Sequence, residues 1–319
     1  MKSRTQFIII IFSAIAVFLS LFILFNPRIS PFVKIVQGRN KMGAPVLKVT
    51  YLYIGQGDAT LIRDLREGGK VMLIDGGPTE ELEEYLFAGL IKGRNYAKEV
   101  ILPYLRKEGI KKIDYMVASH KDADHIGGLP YVIRNFNVGT VYDNGTRKAT
   151  SYVKDLLAAI KEKKTVRYKI AKAGMELPFG ENMICQVLGP LKKYSGTEGD
   201  ENNASIVIRL TAGEVSFIFP GDTEIPAELD LMDYGKGLKT TVMKVAHHGS
   251  ISSSSKPFLD RIMPEVAVFS CGRYNQYGFP TFEVLRRYEE RGARLYRTDT
   301  DGSIEIITDG RKYRIVTER

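Results

Sequence analysis

The chain is poor in cysteine and in histidine. Its 319 residues hold two cysteines and four histidines. Cys185 and Cys271 stand far apart, each beside an apolar run (ICQVL and VAVFSC), where a free buried thiol is the commoner state. A single disulfide is the alternative. With no CxxC pair and no Cys/His cluster, the sequence argues against a zinc ribbon or a dithiol redox centre. Low-complexity tracts and short-period repeats are also absent. No GK[ST] follows the glycine-rich stretch Gly55 to Asp58, so it is not a phosphate-cradling P-loop. It reads as a tight hairpin turn, from which Asp58 can support a neighbouring loop.

Charge is missing from one stretch. Phe7 to Phe25, FIIIIFSAIAVFLSLFILF, carries none, and Lys2 and Arg4 precede it. That is about the length that crosses a bilayer as a helix. No small-x-small cleavage pattern follows, so residues 1–25 are expected to be an uncleaved single-pass anchor rather than a signal peptide. Residues 26–45, with Pro, Gly and several Lys and Arg, read as a linker, and residues 46–319 as the globular domain. Arg28, Lys34, Arg39 and Lys41 oppose the usual positive-inside pattern. From the start of the chain, the domain is nonetheless expected outside the cytoplasm, held at the cell membrane.

Elsewhere charge is plentiful and skewed. An apolar content of 44% and a charged content of 26% suit a globular body with a sizeable core. The net charge of +9 suits anionic partners: nucleic acid, another phosphate polymer or lipid head groups. A solvated basic surface is the plainer account. Lys161 to Lys169, KEKKTVRYK, reads equally well as a polyanion-tracking strip and as a solvated helix end.

Short apolar runs open the domain (VLKVTYLYI, ATLIRD, KVMLIDGG), punctuated by glycines as in an antiparallel meander. A helical stretch is expected from about Glu80 to Lys107, broken near Gly93 and Pro103. The strand KIDYMVASH and a helix from about Ile126 follow. The second half repeats this rhythm. SIVIRL and EVSFIF form a hairpin through Thr211-Ala212-Gly213, TTVMKVAHHGS is a strand ending in a histidine pair, and EVAVFS is a strand between two helices. LYRTD, SIEIIT and KYRIV close the chain as strands. The pattern predicts an α+β fold of two packed sheets with helices outside.

All four histidines fall in two short motifs, SHKDADHIGG and AHHGS. The first follows an apolar strand and ends in Gly127-Gly128, where a helix can begin. Such a loop can turn several side chains toward one point. Histidine supplies neutral nitrogen ligands and aspartate anionic oxygen, and together they can hold two divalent ions. His120 and Asp122 can face one ion, Asp124 and His125 a second. Asp222, ending an apolar strand in FPGDTE, is a natural bridging ligand, and His247 can complete the second site.

SHKDADHIGG, preceded by YIGQGDATLI and LIDGG and followed by FPGDTE and HHGS, resembles the metallo-β-lactamase superfamily. More narrowly it is similar to the C-terminal hydrolase domain of the ComEC family of competence DNA-uptake proteins. The likeness runs through GRYNQYGFP and YRTDTDGSIEI, from Val46 to the C-terminus. It implies an αββα sandwich with a binuclear metal site at one edge of the sheets. The family motif HxHxDH becomes His120, Asp122, Asp124 and His125, with Asp122 in place of the usual second histidine. Asp75 matches a supporting aspartate, Asp222 the bridging one, and His247 the last metal histidine, a role His248 can take instead. The resemblance also implies a structural role near the site mouth for Arg297, Thr298 and Asp299. Two departures stand out. Glu201-Asn202-Asn203 replaces the usual third histidine, and Phe279 replaces a histidine common in the family.

This donor set is richer in carboxylate than a zinc β-lactamase's, which favours Mn²⁺ or Mg²⁺, with Zn²⁺ possible. Penicillin hydrolysis is therefore not expected. Phosphodiester hydrolysis fits better, because two cations can hold a nucleophilic hydroxide and stabilise the oxyanions of an in-line displacement. Asp124, Asp222 and His248 are expected to carry catalysis, His248 by contacting the phosphate together with backbone N–H groups of Gly249 and Ser250. The expected substrate is DNA or another phosphate-containing polymer. The alternatives are hydrolysis of teichoic acid or phospholipid head groups in the envelope, and a non-catalytic metal-binding accessory role.

Overall fold

In a computed structural model of the chain, residues 42–79, 81–84, 91–196 and 199–319 are described. The expected anchor at residues 1–25, and the linker except for its last residues, lie outside them. Among the described residues, no helix is long and apolar enough to cross a membrane.

Two mixed sheets stack face to face. The larger holds β1 (Leu47–Tyr51), β2 (Thr60–Asp64), β3 (Val71–Ile74), β6 (Ile113–Ala118), β7 (Val138–Asp143), β8 (Arg167–Ile170), β15 (Ile304–Thr308) and β16 (Tyr313–Thr317), in the order β16-β15-β1-β2-β3-β6-β7-β8. The smaller runs β14-β13-β12-β11-β10-β9, from β9 (Met183–Gly189), β10 (Val207–Ala212), β11 (Val215–Phe219), β12 (Val242–Lys244), β13 (Val266–Phe269) and β14 (Arg294–Arg297). Each sheet begins as an antiparallel meander and continues parallel, through β3-β6-β7-β8 and β11-β12-β13-β14. That shared pattern is the repeated rhythm seen in the sequence. The last two strands cross back to the larger sheet, where β15 pairs with β1.

Alternation along the strands sorts residues into layers. Inner faces meet in one core, with Val49, Tyr51 and Met72 from the larger sheet against Leu210, Phe217 and Phe219 from the smaller. The outer face of the larger sheet packs Leu73 and Met116 against Leu102, Leu105 and Val132. Behind the smaller sheet, Ile218, Met243 and Ala267 pack on Phe258, Leu259 and Tyr288. The result is the expected αββα sandwich. Cys185 and Cys271 are both free and buried.

One stretch differs from expectation. Where a long helix was expected, β4 (Glu81–Glu84) and β5 (Ile91–Arg94) form a two-stranded antiparallel ribbon. Gly93, a poor helix residue, sits opposite Leu82 in its register. Helix begins only at Ala97 and ends at Lys107.

Phe217, fully buried at the sheet interface, lies parallel to Phe219 with ring centroids 6.3 Å apart. Phe217→Ala is expected to cost about 3–5 kcal/mol in chemical denaturation, through lost burial and the cavity left behind. A cost below about 1 kcal/mol would mean the two sheets are not held by this core.

Candidate metal centre

The carboxyl ends of parallel strands from both sheets meet at one edge of the sandwich, the usual place for a binding crevice in open α/β sheets. β3 leads into Asp75, β6 into Ser119 and His120, β11 into Asp222, and β12 into His247 and His248. After β6 the chain turns, so that Asp122 heads the short helix Ala123–Ile126 carrying Asp124 and His125. The glycine-rich loop between β1 and β2 docks on this turn, the Asp58 N–H donating to the Asp124 carbonyl at 3.1 Å. Contact there is so close that a Cβ on Gly57 would stand 2.3 Å from that carbonyl oxygen. His247 and His248 adopt left-handed backbone, at φ 47° and 53°. Such conformations cost of order 1–3 kcal/mol each and persist where the surroundings fix them. Here they let two consecutive side chains reach one cluster.

The side chains named from the motifs come together. Asp222 Oδ2 lies 3.2 Å from His125 Nε2, 3.4 Å from His248 Nε2 and 3.9 Å from His247 Nε2. Asp124 Oδ2 is 3.2 Å from His248 Nε2 and 3.8 Å from His125 Nε2. The His120 ring lies 4.1 Å from that of His125, centroid to centroid, tilted by 54°, and its Nε2 is 3.7 Å from Asp122 Oδ2.

Hydrogen bonds at the far side of each ring fix which nitrogen faces the cluster. His248 Nδ1 lies 2.9 Å from the Ser270 carbonyl oxygen, which can only accept. Nδ1 therefore carries the proton, and in the neutral ring Nε2 is a bare lone pair. His125 Nδ1 faces Asp75 Oδ2 at 2.9 Å, and His247 Nδ1 faces Glu224 Oε1 at 3.3 Å. Ser119 Oγ donates to Asp75 Oδ2 at 2.7 Å, so it accepts from His120 Nδ1 at 3.1 Å. Carboxylates and carbonyls in this backing position are what orient metal-binding imidazoles. Nε2 of both His120 and His125 is buried without a hydrogen-bond partner. Lone pairs and carboxylate oxygens, all acceptors, thus face one another, and a divalent cation is what such a set accommodates.

Electrostatics agree. Burial opposes charge on Asp222, but His125, His248, His247 and Lys244 outweigh it and hold the carboxyl well below the usual range. Burial works against a charged His248 too, yet Asp222 and Asp58 prevail and push it up to about 10. Asp122 is likewise lowered: burial opposes, while His120 and Lys148 favour the anion.

Asp58, His125, Asp222 and His248 can each bring one ligand atom within 4.8 Å of the others. Asp58, however, already has a cation. The buried Lys244 amine is ion-paired with Asp58 Oδ2, 3.3 Å from the Gly221 carbonyl oxygen and 3.6 Å from Asp222 Oδ1. Asp58 also stands at the Nδ1 edges of His125 and His248, at 3.7 and 3.6 Å, away from Asp124. We read it as support behind the rings. Lys244 was not singled out in the sequence, although a lysine inside the apolar strand TTVMKVA is itself a sign of a buried, paired charge.

The departures from the family pattern have structural accounts. Asn203 is buried, with its carbonyl oxygen accepting from the N–H groups of Glu224 and Ala227, so it caps a helix instead of facing the cluster. Asn202 Nδ2 donates to Glu224 Oε1 at 3.2 Å, behind His247. Phe279 packs edge-on against His247, 5.6 Å between centroids, and brings no proton donor. Contrary to expectation, the Ser250 N–H is not turned toward the cluster for a phosphate, because it is spent on the His247 carbonyl at 2.8 Å. Arg297 and Asp299 form a two-pronged ion pair, and Thr298 Oγ1 accepts from the Cys271 N–H, as befits a structural role.

Known proteins share this arrangement of sequence and fold. The family model described as the metallo-beta-lactamase superfamily matches residues 52–273. The chain is 30% identical over 259 residues to ComE operon protein 3 of Bacillus subtilis (strain 168), covering 81% of this chain and 32% of that protein. It is 28% identical over 268 residues to Recombination protein 2 of Haemophilus influenzae, covering 83% and 29%. It therefore spans less than a third of the length of these curated relatives. Among solved structures it is similar to Igni18, a metallo hydrolase from Ignicoccus hospitalis KIN4/I, at a TM-score of 0.50 and 17% identity, over 81% of this chain and 98% of that one. At that identity the likeness concerns the fold alone.

Removing one partner of a buried ion pair strands the other charge. Lys244→Met is expected to destabilise the protein by about 3–5 kcal/mol in chemical denaturation, and adding Asp58→Asn to recover more than half of that. Additive losses in the double variant would show that the two side chains do not act as a pair.

Proposed function

The chain belongs to the metallo-beta-lactamase superfamily, and from that premise we propose that it is a metal-dependent phosphodiesterase acting on DNA or another phosphate polymer. The observation that carries this reading is the convergence of the Nε2 atoms of His125, His248 and His247 on Asp222, that of His125 buried without a partner. In the proposed centre His120, Asp122, Asp124, His125, Asp222, His247 and His248 would together hold two divalent ions, Asp124, His125 and His248 lying nearest one another around Asp222. His248 is thus assigned to a metal, on its 3.2 Å and 3.4 Å approaches to Asp124 and Asp222. When bound, such ions supply Lewis acidity and lower the pKa of a water at the site.

The protein's own part is to hold this set rigid. Asp75 and Ser119 fix the rings of His125 and His120, the Ser270 carbonyl fixes His248, and Lys244 stands beside Asp222. Mixed imidazole and carboxylate donors favour Mn²⁺, then Zn²⁺, with Mg²⁺ behind because it prefers oxygen. Support for DNA comes from similarity to proteins named Recombination protein 2 and Competence protein ComA, and from the net charge of +9. An envelope phosphopolymer is the second reading, favoured by the uncharged stretch from Phe7 to Phe25, which we propose tethers the domain to a membrane.

The test uses the full chain purified without metal, with Mn²⁺, Mg²⁺ or Zn²⁺ added back, on single-stranded DNA and on bis-p-nitrophenyl phosphate. Metal-dependent turnover of both is expected. Asp124→Ala should lose one bound ion and at least a hundredfold in rate (order of magnitude, as for other charge-stabilising groups) while keeping its circular dichroism. Full activity in that variant, or no turnover of either substrate at stoichiometric metal, rejects the reading. Asp122→His should shift the preference toward Zn²⁺; an unchanged metal profile would remove Asp122 from the ligand set.

A further inference from the structure

One cavity opens directly beside the proposed centre. The loop after β7, the helix Ser151–Glu162 and the edge strand β8 enclose a groove of about 310 Å³, at the lower end of the range for small-molecule pockets. Its walls include Val153, Leu157 and Tyr168, and its mouth carries Arg147 and Lys148. Leu157 and Tyr168 are 47% and 41% exposed, large apolar surfaces left to solvent side by side. Lys148 is ion-paired with Asp122, which joins the groove to the centre. Arg147 is exposed, with no acidic partner among the described residues. Lys121 also lines the groove, but its amine is committed to Asp143 Oδ1 at 3.1 Å and to Thr146, and so anchors the loop. Tyr168 belongs to the basic strip Lys161 to Lys169, which the centre leaves unused.

An apolar slot with one aromatic wall suits a flat ring, and cations at its mouth suit an anion attached to that ring. A nucleotide has both. A polyol-phosphate unit has no flat ring, and a base paired in a duplex cannot enter a slot. We infer that this groove is the base-binding subsite for a single-stranded nucleic acid, with one base on Tyr168 and Leu157 and an adjoining phosphate on Arg147. The inference rests on the phosphodiester reading and narrows its substrate.

The test measures binding to the full chain of three probes. These are a single-stranded oligodeoxynucleotide carrying 2-aminopurine, an abasic oligonucleotide of equal length, and dioctanoyl phosphatidylglycerol. The base-bearing strand should bind about tenfold more tightly than the abasic one, with 2-aminopurine emission quenched by stacking. Tyr168→Ala should erase both the preference and the quenching. Tyr168→Phe should keep both, which separates the ring's role from the hydroxyl's bond to Asp143. Equal binding of the two strands, a preference surviving Tyr168→Ala, or displacement of the oligonucleotide by the lipid from wild type alone would each overturn the subsite. Wild-type turnover of bis-p-nitrophenyl phosphate judges the parent reading separately. Turnover without base preference defeats only the subsite, and absence of turnover defeats the reading beneath it.

Discussion

Acceptor facing acceptor is the constraint from which the rest of this structure follows. Around Asp222, imidazole lone pairs and carboxylate oxygens approach one another at 3.2–3.9 Å, with Asp222, His125 and His248 buried. Such a set is stable only with positive charge within it. Protons can fill that role, which is why His125 and His248 are driven toward their charged forms against the effect of burial. Divalent cations fill it better, because each can satisfy several lone pairs at once. Lys244 is a buried permanent cation built into the site, and it sits beside Asp58 and Asp222.

Holding like-featured atoms together requires a scaffold that does not relax. The αββα sandwich provides it by bringing the carboxyl ends of parallel strands from both sheets to one edge. Each ligand candidate leaves a strand within a few residues, so strand register sets its position. What remains is local: two left-handed histidines, and a turn after β6 that the glycine-rich loop clamps from below. A side chain at Gly57 would break that clamp. Local strain at the site is thus balanced by packing elsewhere, most of it in the aromatic and aliphatic layer between the sheets.

The parts of this arrangement legible in the sequence are those carried by contiguous residues. SHKDADHIGG and AHHGS concentrate all the histidines beside aspartates at strand ends, and apolar alternation marked the hairpin of β10 and β11. Illegible parts depend on pairing between distant segments. No local pattern places β15 beside β1, or the Lys244 amine on Asp58. Nor does spacing show how His247 and His248 are both oriented, because that depends on backbone conformations that place their Nδ1 atoms against Glu224 and Ser270. Residues 80–94 misled for a different reason. Glutamate and leucine there favour helix intrinsically, and the ribbon pairing of β4 with β5 overrides that preference.

The replaced histidine is the most informative departure. If the chain had simply lost a ligand, its neighbours would be free to drift toward other uses. Instead Asn203 is fully engaged as a helix cap, while Asn202 donates to Glu224, which in turn backs His247 Nδ1. That relay holds His247 from behind and leaves Nε2 directed at Asp222. Its counterpart across the cluster, Asp75 behind His125, uses a fully buried carboxylate at 2.9 Å, whereas Glu224 is partly exposed and lies at 3.3 Å. His125 is consequently backed more tightly than His247. Lys148 reaches Asp122 and also lines the groove that holds Tyr168, so the groove joins the cluster at Asp122. A tightly backed ring on one side of Asp222 and a part-exposed one on the other is the asymmetry on which the proposed reading depends.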